Sequence, residues 1–227
     1  MRNRARIAIL GCGRVSQRYC EVFRDELAEI VEIVSATDLN PEKAEKIAND
    51  LNCVAANGIE QIKSAAPDLV CILSESGKHA EHALSLMKAG LNVLVEKPVA
   101  LRIEDAIKMK DVAVDNNVIC AVVKQNRYNP AMQFAKAAVD DGRFGRIVTA
   151  GVRVHWSRDQ SYYDDEWHGR WAMDGGVLTQ QAIHHLDALQ WLAGPIQSVC
   201  ASGDAVLNKL EAEDTAVAIV QFKSGAL

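Results

Sequence analysis

Short apolar runs alternate with stretches of helical period through the first half of the chain. Residues 7–10 form a run of strand length, and after a glycine turn Val15, Tyr19, Val22 and Phe23 recur at i, i+4, i+7 and i+8. Arg14, Gln17, Arg18, Glu21 and Arg24 fill the opposite face, so the segment predicts an amphipathic helix. Residues 30–36 predict a second strand, and Asn40-Pro41 opens a helix with proline at its first position. Residues 68–73 read as a buried strand. Ala80, Ala83, Leu84 and Met87 then mark a helix that Gly90 ends. A strand at 92–95, a helix carrying Ile103, Ala106, Ile107 and Val114, and a strand at 118–123 complete the series. Strands and helices in strict alternation predict a parallel sheet covered by helices over residues 1–123.

The rhythm changes in residues 124–227. A helix is expected over 130–139, a strand over 147–155, a polar and aromatic loop over 156–174, and one long helix over 177–192. Strands follow at 198–201 and 215–222, which makes a second, α+β domain with a mostly antiparallel open sheet. Ala216, Ala218, Val220 and Phe222 line one face of the last strand, which enters the Ser224-Gly225 turn without a return strand. An unpaired apolar edge is an aggregation hazard, so the expectation is that the native chain is truncated here and continues.

Composition narrows the function classes. The 227 residues are 49% hydrophobic and 24% charged, an ordinary globular balance. A net charge of -5, with acids and bases scattered, gives no basic surface to follow a nucleic-acid backbone, so no nucleic-acid partner is expected. The six cysteines form no CxxC pair and read as small buried hydrophobes in a reducing cytoplasm; no metal is expected. Arg2, Arg4 and Arg6 precede an apolar stretch far too short for a secretory signal, and no run approaches the ~18 apolar residues of a membrane span. A cytoplasmic protein with no membrane partner is expected.

Chemistry enters at Gly11-Cys12-Gly13-Arg14-Val15-Ser16, between the first strand and the first helix. The first glycine permits a tight turn, the second lets backbone approach a pyrophosphate, and the helix N-terminus offers free N–H groups. Ser16 stands where a third Gly or Ala is usual. By itself such a turn is weak evidence. Asp38, at the end of the second strand and 22 residues after Ser16, adds an acceptor for the adenosine ribose and completes a Rossmann fingerprint. Asp38 also favours NAD over NADP: like charges at ~4 Å cost on the order of 4 kcal/mol at an effective dielectric near 20, and no Arg follows to hold a 2′-phosphate. The alternative for Asp38 is a solvated residue before the helix at Asn40-Pro41.

Glu96-Lys97-Pro98 follows the strand at 92–95, on the carboxyl edge where open α/β sheets bind ligands. A lone lysine is most often a solvated surface residue. In the later helix Gln180, His184, Asp187 and Trp191 share one stripe while Leu178, Ala182, Leu186 and Leu189 share another, so one face is polar and the other is core. His185 lies off the polar stripe and reads as structural. Asp187 either orients the imidazole or makes an ion pair on the helix surface.

Together GCGRVS at 11–16, EKP at 96–98, Gly175-Gly176 and His184-His185-Leu186-Asp187 resemble the Gfo/Idh/MocA oxidoreductase family over essentially the whole chain. The resemblance implies that Lys97 and His184 flank the reacting carbon of a sugar or polyol. It implies NAD contacts from Gly11, Cys12, Gly13, Arg14, Val15, Asp38, Ser74, His79, Glu96, Lys97 and Gln125. Oxidising a secondary alcohol sends hydride to the nicotinamide while a base takes the hydroxyl proton. Histidine suits that base, worth roughly 10²–10⁴-fold, and a lysine ammonium stabilises the developing alkoxide.

Many polyol-oxidising members of that family carry Asp four residues before the histidine; here Gln180 stands there, which speaks against a plain inositol dehydrogenase. The segments 124–130, 160–164 and 171–176, with the amide at 180, are similar to the nucleotide-sugar branch that oxidises UDP-N-acetylglucosaminuronate at C3. The substrate contacts expected are Lys97, Arg127, Tyr128, Tyr163, Arg170, Trp171, Gln180 and His184. Arg127, Arg158 and Arg170 offer forks for carboxylate or phosphate, and Tyr162, Tyr163, Trp167 and Trp171 offer stacking surfaces; the alternative is a solvated aromatic loop. Oxidation of a free or phosphorylated sugar or inositol, and a non-catalytic NAD-binding sensor, remain open. A homodimer or homotetramer is expected by resemblance alone.

Overall fold

The computed structural model describes residues 4–227, so Arg2 of the basic run lies outside the described residues. The chain divides into two compact units, Met1–Val123 and Lys124–Leu227. The first contains β1 (Ala5–Leu10), α1 (Arg14–Asp25), β2 (Val31–Thr37), α2 (Pro41–Leu51), β3 (Val54–Ala55), α3 (Ile59–Ser64), β4 (Leu69–Ile72), α4 (His79–Lys88), β5 (Val93–Val95), α5 (Ile103–Asp115) and β6 (Cys120–Val122). The six strands pair in parallel in the order β3-β2-β1-β4-β5-β6, so the winding reverses between β1 and β4.

Burial on both faces of this sheet explains the unbroken apolar runs in the sequence. Ala8, Leu10, Val70, Ile72, Val93 and Val95 pack on one side with Leu86, Met87 and Met109. Ile7, Ile9 and Cys71 pack on the other with Cys20, Phe23 and Ile47. Asn40 caps α2 by accepting the N–H of Glu42 at 2.9 Å, with Pro41 in the first turn.

Two helices bury a face rotated from the one expected. In α1 the buried residues are Ser16, Cys20 and Phe23, while Val15 is 39% exposed. Ser16 is small enough for the tight approach of helix to sheet, and its hydroxyl donates to the Gly13 carbonyl at 2.6 Å. In α5 Met109 and Ala113 face the core, whereas Ile103, Ile107 and Val114 are exposed.

The second unit holds α6 (Pro130–Asp140), α7 (Gly176–Gln180), α8 (Ile183–Ala193), β7 (Ile196–Asp204) and β8 (Thr215–Phe222). β7 and β8 form an antiparallel pair, and Phe222 and Ala193 anchor a small core with Leu189 and Ile196 around them. Three expectations are corrected. Residues 147–155 form no strand: Val148 and Ala150 bond to Leu227 alone, and one bridging residue makes no ladder. The helix expected over 177–192 is broken, because Ala182 N–H reaches back five residues to the Val177 carbonyl at 2.8 Å and this wide turn separates α7 from α8. Cys200 is exposed on β7, unlike the buried Cys12, Cys20 and Cys71; all six cysteines are free thiols. Among the described residues no helix is long and apolar enough to cross a membrane.

Candidate active site

The glycine turn closes β1 at the point where the winding reverses. Gly11 has φ +100° and donates to the Thr37 carbonyl at 2.8 Å. A Cβ on it would lie 2.4 Å from Ser74 N and 2.5 Å from Leu73 C, so only glycine lets the turn pass the end of β4. Beside Gly13 the space is open, with nothing within 4 Å of a Cβ. The first turn of α1 has neither a side-chain cap nor an acidic residue, so its N–H groups and its positive dipole end suit an anion. A close-approach glycine, an open second glycine and an uncapped helix start together fit a dinucleotide pyrophosphate. Arg14 and Val15 are exposed at the start of this helix.

Asp38 braces the turn. Its Oδ2 accepts Cys12 N–H at 2.7 Å and its Oδ1 accepts Asn40 N–H at 2.8 Å, and each oxygen keeps a lone pair for a ribose hydroxyl. Burial, then the nearby Asp38 charge, pushes the Cys12 thiol up to about 12, so Cys12 acts as a neutral, space-filling residue.

Across the switch point, the EKP segment follows β5. Glu96 accepts the Tyr19 hydroxyl at 2.8 Å on one oxygen and Lys97 N–H at 2.9 Å on the other. Burial, followed by the Glu96 charge, raises the Tyr19 phenol, which stays protonated and donating. Lys97 is half-buried, with the buried Pro98 after it. His79, 1% exposed, sets Nδ1 at 2.7 Å from the Pro98 carbonyl and Nε2 at 2.9 Å from the Ser74 carbonyl. Both ring nitrogens are engaged with backbone, so the expectation of His79 as a direct NAD contact is corrected: it supports the two loops that border the site. The Ser74 hydroxyl lies 2.9 Å from His82 Nδ1.

In the second unit, Gln125 Nε2 lies 3.4 Å from His184 Nε2. An amide donor facing that nitrogen favours the tautomer in which Nε2 is the acceptor, the state a proton-abstracting imidazole needs. The open choice for Asp187 resolves as an ion pair: it takes Arg127 Nε at 2.8 Å and Arg127 Nη2 at 2.7 Å, with Lys124 Nζ at 3.9 Å. Arg127 also lies over the Trp191 ring at 5.6 Å. Its fork is therefore committed to Asp187, which corrects the expectation of a fork held ready for substrate. Burial lowers Lys124 and the attraction of Asp187 offsets only part of that.

The wide turn also takes Gln180 off the stripe of His184 and Asp187. Its side chain points inward, 7% exposed, with Nε2 2.5 Å from Asp174 Oδ1. The Gly175-Gly176 approach has a reason the sequence did not disclose. Both residues have positive φ, and a Cβ on Gly176 would lie 2.0 Å from the Glu213 carboxylate, which accepts Leu178 N–H at 3.1 Å. Of the remaining expected contacts, Tyr128, Arg170 and Trp171 are exposed, and Tyr163 packs edge-on to Tyr162 at 5.0 Å. Arg158 lies over the Tyr162 ring at 5.3 Å. Among the described residues no group of three or more His, Cys, Asp or Glu could hold a metal ion.

A doubly wound parallel sheet with a glycine turn and an uncapped helix start at its switch point defines a dinucleotide-binding protein. The chain belongs to the Gfo/Idh/MocA family: residues 5–124 match the oxidoreductase family with NAD-binding Rossmann fold, and residues 132–227 match the GFO/IDH/MocA C-terminal domain. It is similar to the WlbA dehydrogenase from Bordetella pertussis, solved in complex with NADH and UDP-GlcNAcA, at 35% identity over 100% of this chain and a TM-score of 0.95. The WlbA enzyme from Chromobacterium violaceum, in complex with the same two ligands, matches at 33% identity over 99% of this chain, again with a TM-score of 0.95. A scyllo-inositol 2-dehydrogenase (NAD(+)) from Bacillus subtilis is 26% identical over 100% of this chain. The chain spans 66% of the length of each of these three proteins.

Proposed function

We propose that this protein is an NAD-dependent dehydrogenase that oxidises a secondary hydroxyl, at C3, of a nucleotide-linked uronic acid sugar. The observation that carries the reading is the 33–35% identity, over nearly the whole chain, with two dehydrogenases solved with NADH and UDP-GlcNAcA. The amide of Gln180, where polyol oxidisers of the family carry a carboxylate, agrees with it, as do the exposed Arg170 and Trp171.

NAD, held by the Gly11–Gly13 turn and the start of α1, supplies the hydride acceptor. The chain's own residues do the rest. His184 takes the hydroxyl proton on Nε2, with Gln125 holding the ring orientation, and the Lys97 ammonium stabilises the oxygen as negative charge develops. The substrate C–H leaves as hydride, the O–H as a proton, and a ketone remains. Tyr19 and Glu96 fix the backbone that carries Lys97.

The test is NADH formation from NAD and UDP-N-acetylglucosaminuronate, with scyllo-inositol as the competing substrate. Turnover of the nucleotide sugar should fall by at least about 10²-fold in Lys97→Ala and in His184→Ala. Normal turnover in both variants refutes the assignment, oxidation of the inositol alone moves the protein to the second branch, and tight NAD binding without any turnover makes it a sensor. The reading includes a cytoplasmic homodimer or homotetramer, supported by exposed Val199, Val217 and Ile219 on the β7–β8 sheet and checked by sedimentation.

A further inference from the structure

Gln180 is locked by a carboxylate that the proposed chemistry does not use. Asp174 is 2% exposed; its Oδ2 accepts Gly169 N–H at 2.8 Å and its Oδ1 accepts Gln180 Nε2 at 2.5 Å. A carboxylate offers acceptors only, so the amide cannot be reversed without setting oxygen against oxygen. Nitrogen on Asp174 therefore means that the carbonyl oxygen of Gln180 occupies the other arm of the amide.

We infer that Asp174 is a positioning residue that fixes the polarity of position 180, making Gln180 an acceptor that selects a hydroxyl or amide N–H donor on the substrate. This rests on the proposed substrate contact at Gln180. The wide turn between α7 and α8 is part of the device, because it rotates residue 180 away from the stripe of His184 and toward the Gly169–Asp174 loop. The same geometry explains why an amide stands here. A carboxylate at 180 would face Asp174 at hydrogen-bond distance, and two buried anions that close repel strongly. Asp174 and an amide at 180 are thus one unit: an amide neutralises the buried acceptor and still offers an acceptor of its own.

The test is a reversal and a rescue. In Asp174→Asn the new side chain keeps an oxygen for Gly169 N–H and turns an NH₂ toward Gln180, whose amide then flips and shows a donor to the substrate. KM should rise about tenfold or more with kcat changed less than about threefold, since a uniform binding interaction is lost. Adding Gln180→Glu restores an acceptor on the substrate arm while accepting from the new NH₂, so the double variant should return KM to within about threefold of wild type. An unchanged KM in the single variant, or a double variant no better than the single, overturns the inference. Should Asp174→Asn fail to fold, the double variant, in which every donor meets an acceptor, is measured alone against the same criterion. Wild type is first assayed with UDP-N-acetylglucosaminuronate and with scyllo-inositol, and the one oxidised serves for all variants; oxidation of the inositol alone refutes the proposed substrate and leaves this test intact. A readout without turnover is the Gln180 side-chain NH₂ in nitrogen-15 NMR, assigned by its loss in Gln180→Glu. It should exchange slowly with solvent in wild type and faster in Asp174→Asn, and fast exchange in wild type overturns the inference.

Discussion

Replacing Gly11 with alanine should damage stability and cofactor binding together. The added Cβ would sit 2.4 Å from Ser74 N, where ordinary contact begins at 3.4 Å, so the turn and the end of β4 must separate by 1.0 Å. They cannot do so freely, because Leu73 N–H donates to the Leu10 carbonyl at 2.7 Å and Gly11 N–H to Thr37 at 2.8 Å. Loss of one such bond costs about 1 kcal/mol, overpacking about 1–3 kcal/mol, and the positive φ a further 1–2 kcal/mol or so. A total of about 3–5 kcal/mol lowers Tm by roughly 6–20 °C for a chain of this size. The same displacement moves the start of α1, so the Kd for NADH, read by fluorescence titration, should weaken at least about tenfold. An alanine variant with unchanged Tm and unchanged Kd would show that the close approach of Gly11 to β4 is not a constraint, and the reading of this turn as the cofactor site would lose its physical basis.

Asp214 carries a pH dependence. Burial pushes its carboxyl up, but the N–H groups of Val206 and Asn208, with Thr215 and the Asn208 amide, outweigh that and hold it at about 2, below its ordinary 3.8. A folded-state value below the unfolded one gives stability that is full above about pH 4 and disappears as pH falls toward 2. The gap is worth at most about 2.5 kcal/mol, and about 1–2 kcal/mol once solvent screening at a partly exposed group is included. Asp214→Asn should therefore lower the urea midpoint at neutral pH, and its deficit should shrink below about pH 4; a deficit constant with pH refutes the linkage. Asp187→Asn leaves Arg127 and Lys124 facing each other without their shared anion, so Tm should drop by about 2–8 °C, the equivalent of 1–2 kcal/mol or so at a partly exposed pair. An unchanged Tm would mean that the ion pair contributes nothing net.

The doubly wound sheet was legible because strands buried on both faces leave continuous apolar runs, and the turn after β1 was legible because Gly11 and Gly13 have no substitute there. β3 and α3 escaped notice because two and six residues are too short to establish a period. Periodicity also misjudged α1, where Ser16 lies at the closest helix–sheet contact and size matters more than hydrophobicity. The stripe joining Gln180 to His184 assumed an unbroken helix, and a five-residue backbone reach at Ala182 leaves no mark in the order of apolar residues. Arg127 and Asp187 were each visible as charged residues, but only three-dimensional packing shows that they are sixty positions apart and hydrogen-bonded to each other.

The carboxylates of both units share a common use that bears on which group moves a proton. Asp38 holds Cys12 and Asn40 N–H, Glu96 holds Tyr19 and Lys97 N–H, Asp174 holds Gly169 N–H and Gln180, Asp187 holds Arg127, and Asp214 holds three successive N–H groups. A carboxylate that accepts two or more hydrogen bonds is stabilised as the anion and is a correspondingly poor base, because taking a proton forfeits those bonds. Each of these five is thus a brace for irregular backbone or for a neighbouring side chain. Backbone N–H groups in irregular segments need acceptors, and an anion satisfies several at once where a neutral side chain satisfies one. Proton transfer then falls to a group whose acceptor is not tied to backbone, and the imidazole of His184, with Nε2 turned to the Gln125 amide, meets that condition while remaining close enough in basicity to a neutral medium to act in both directions.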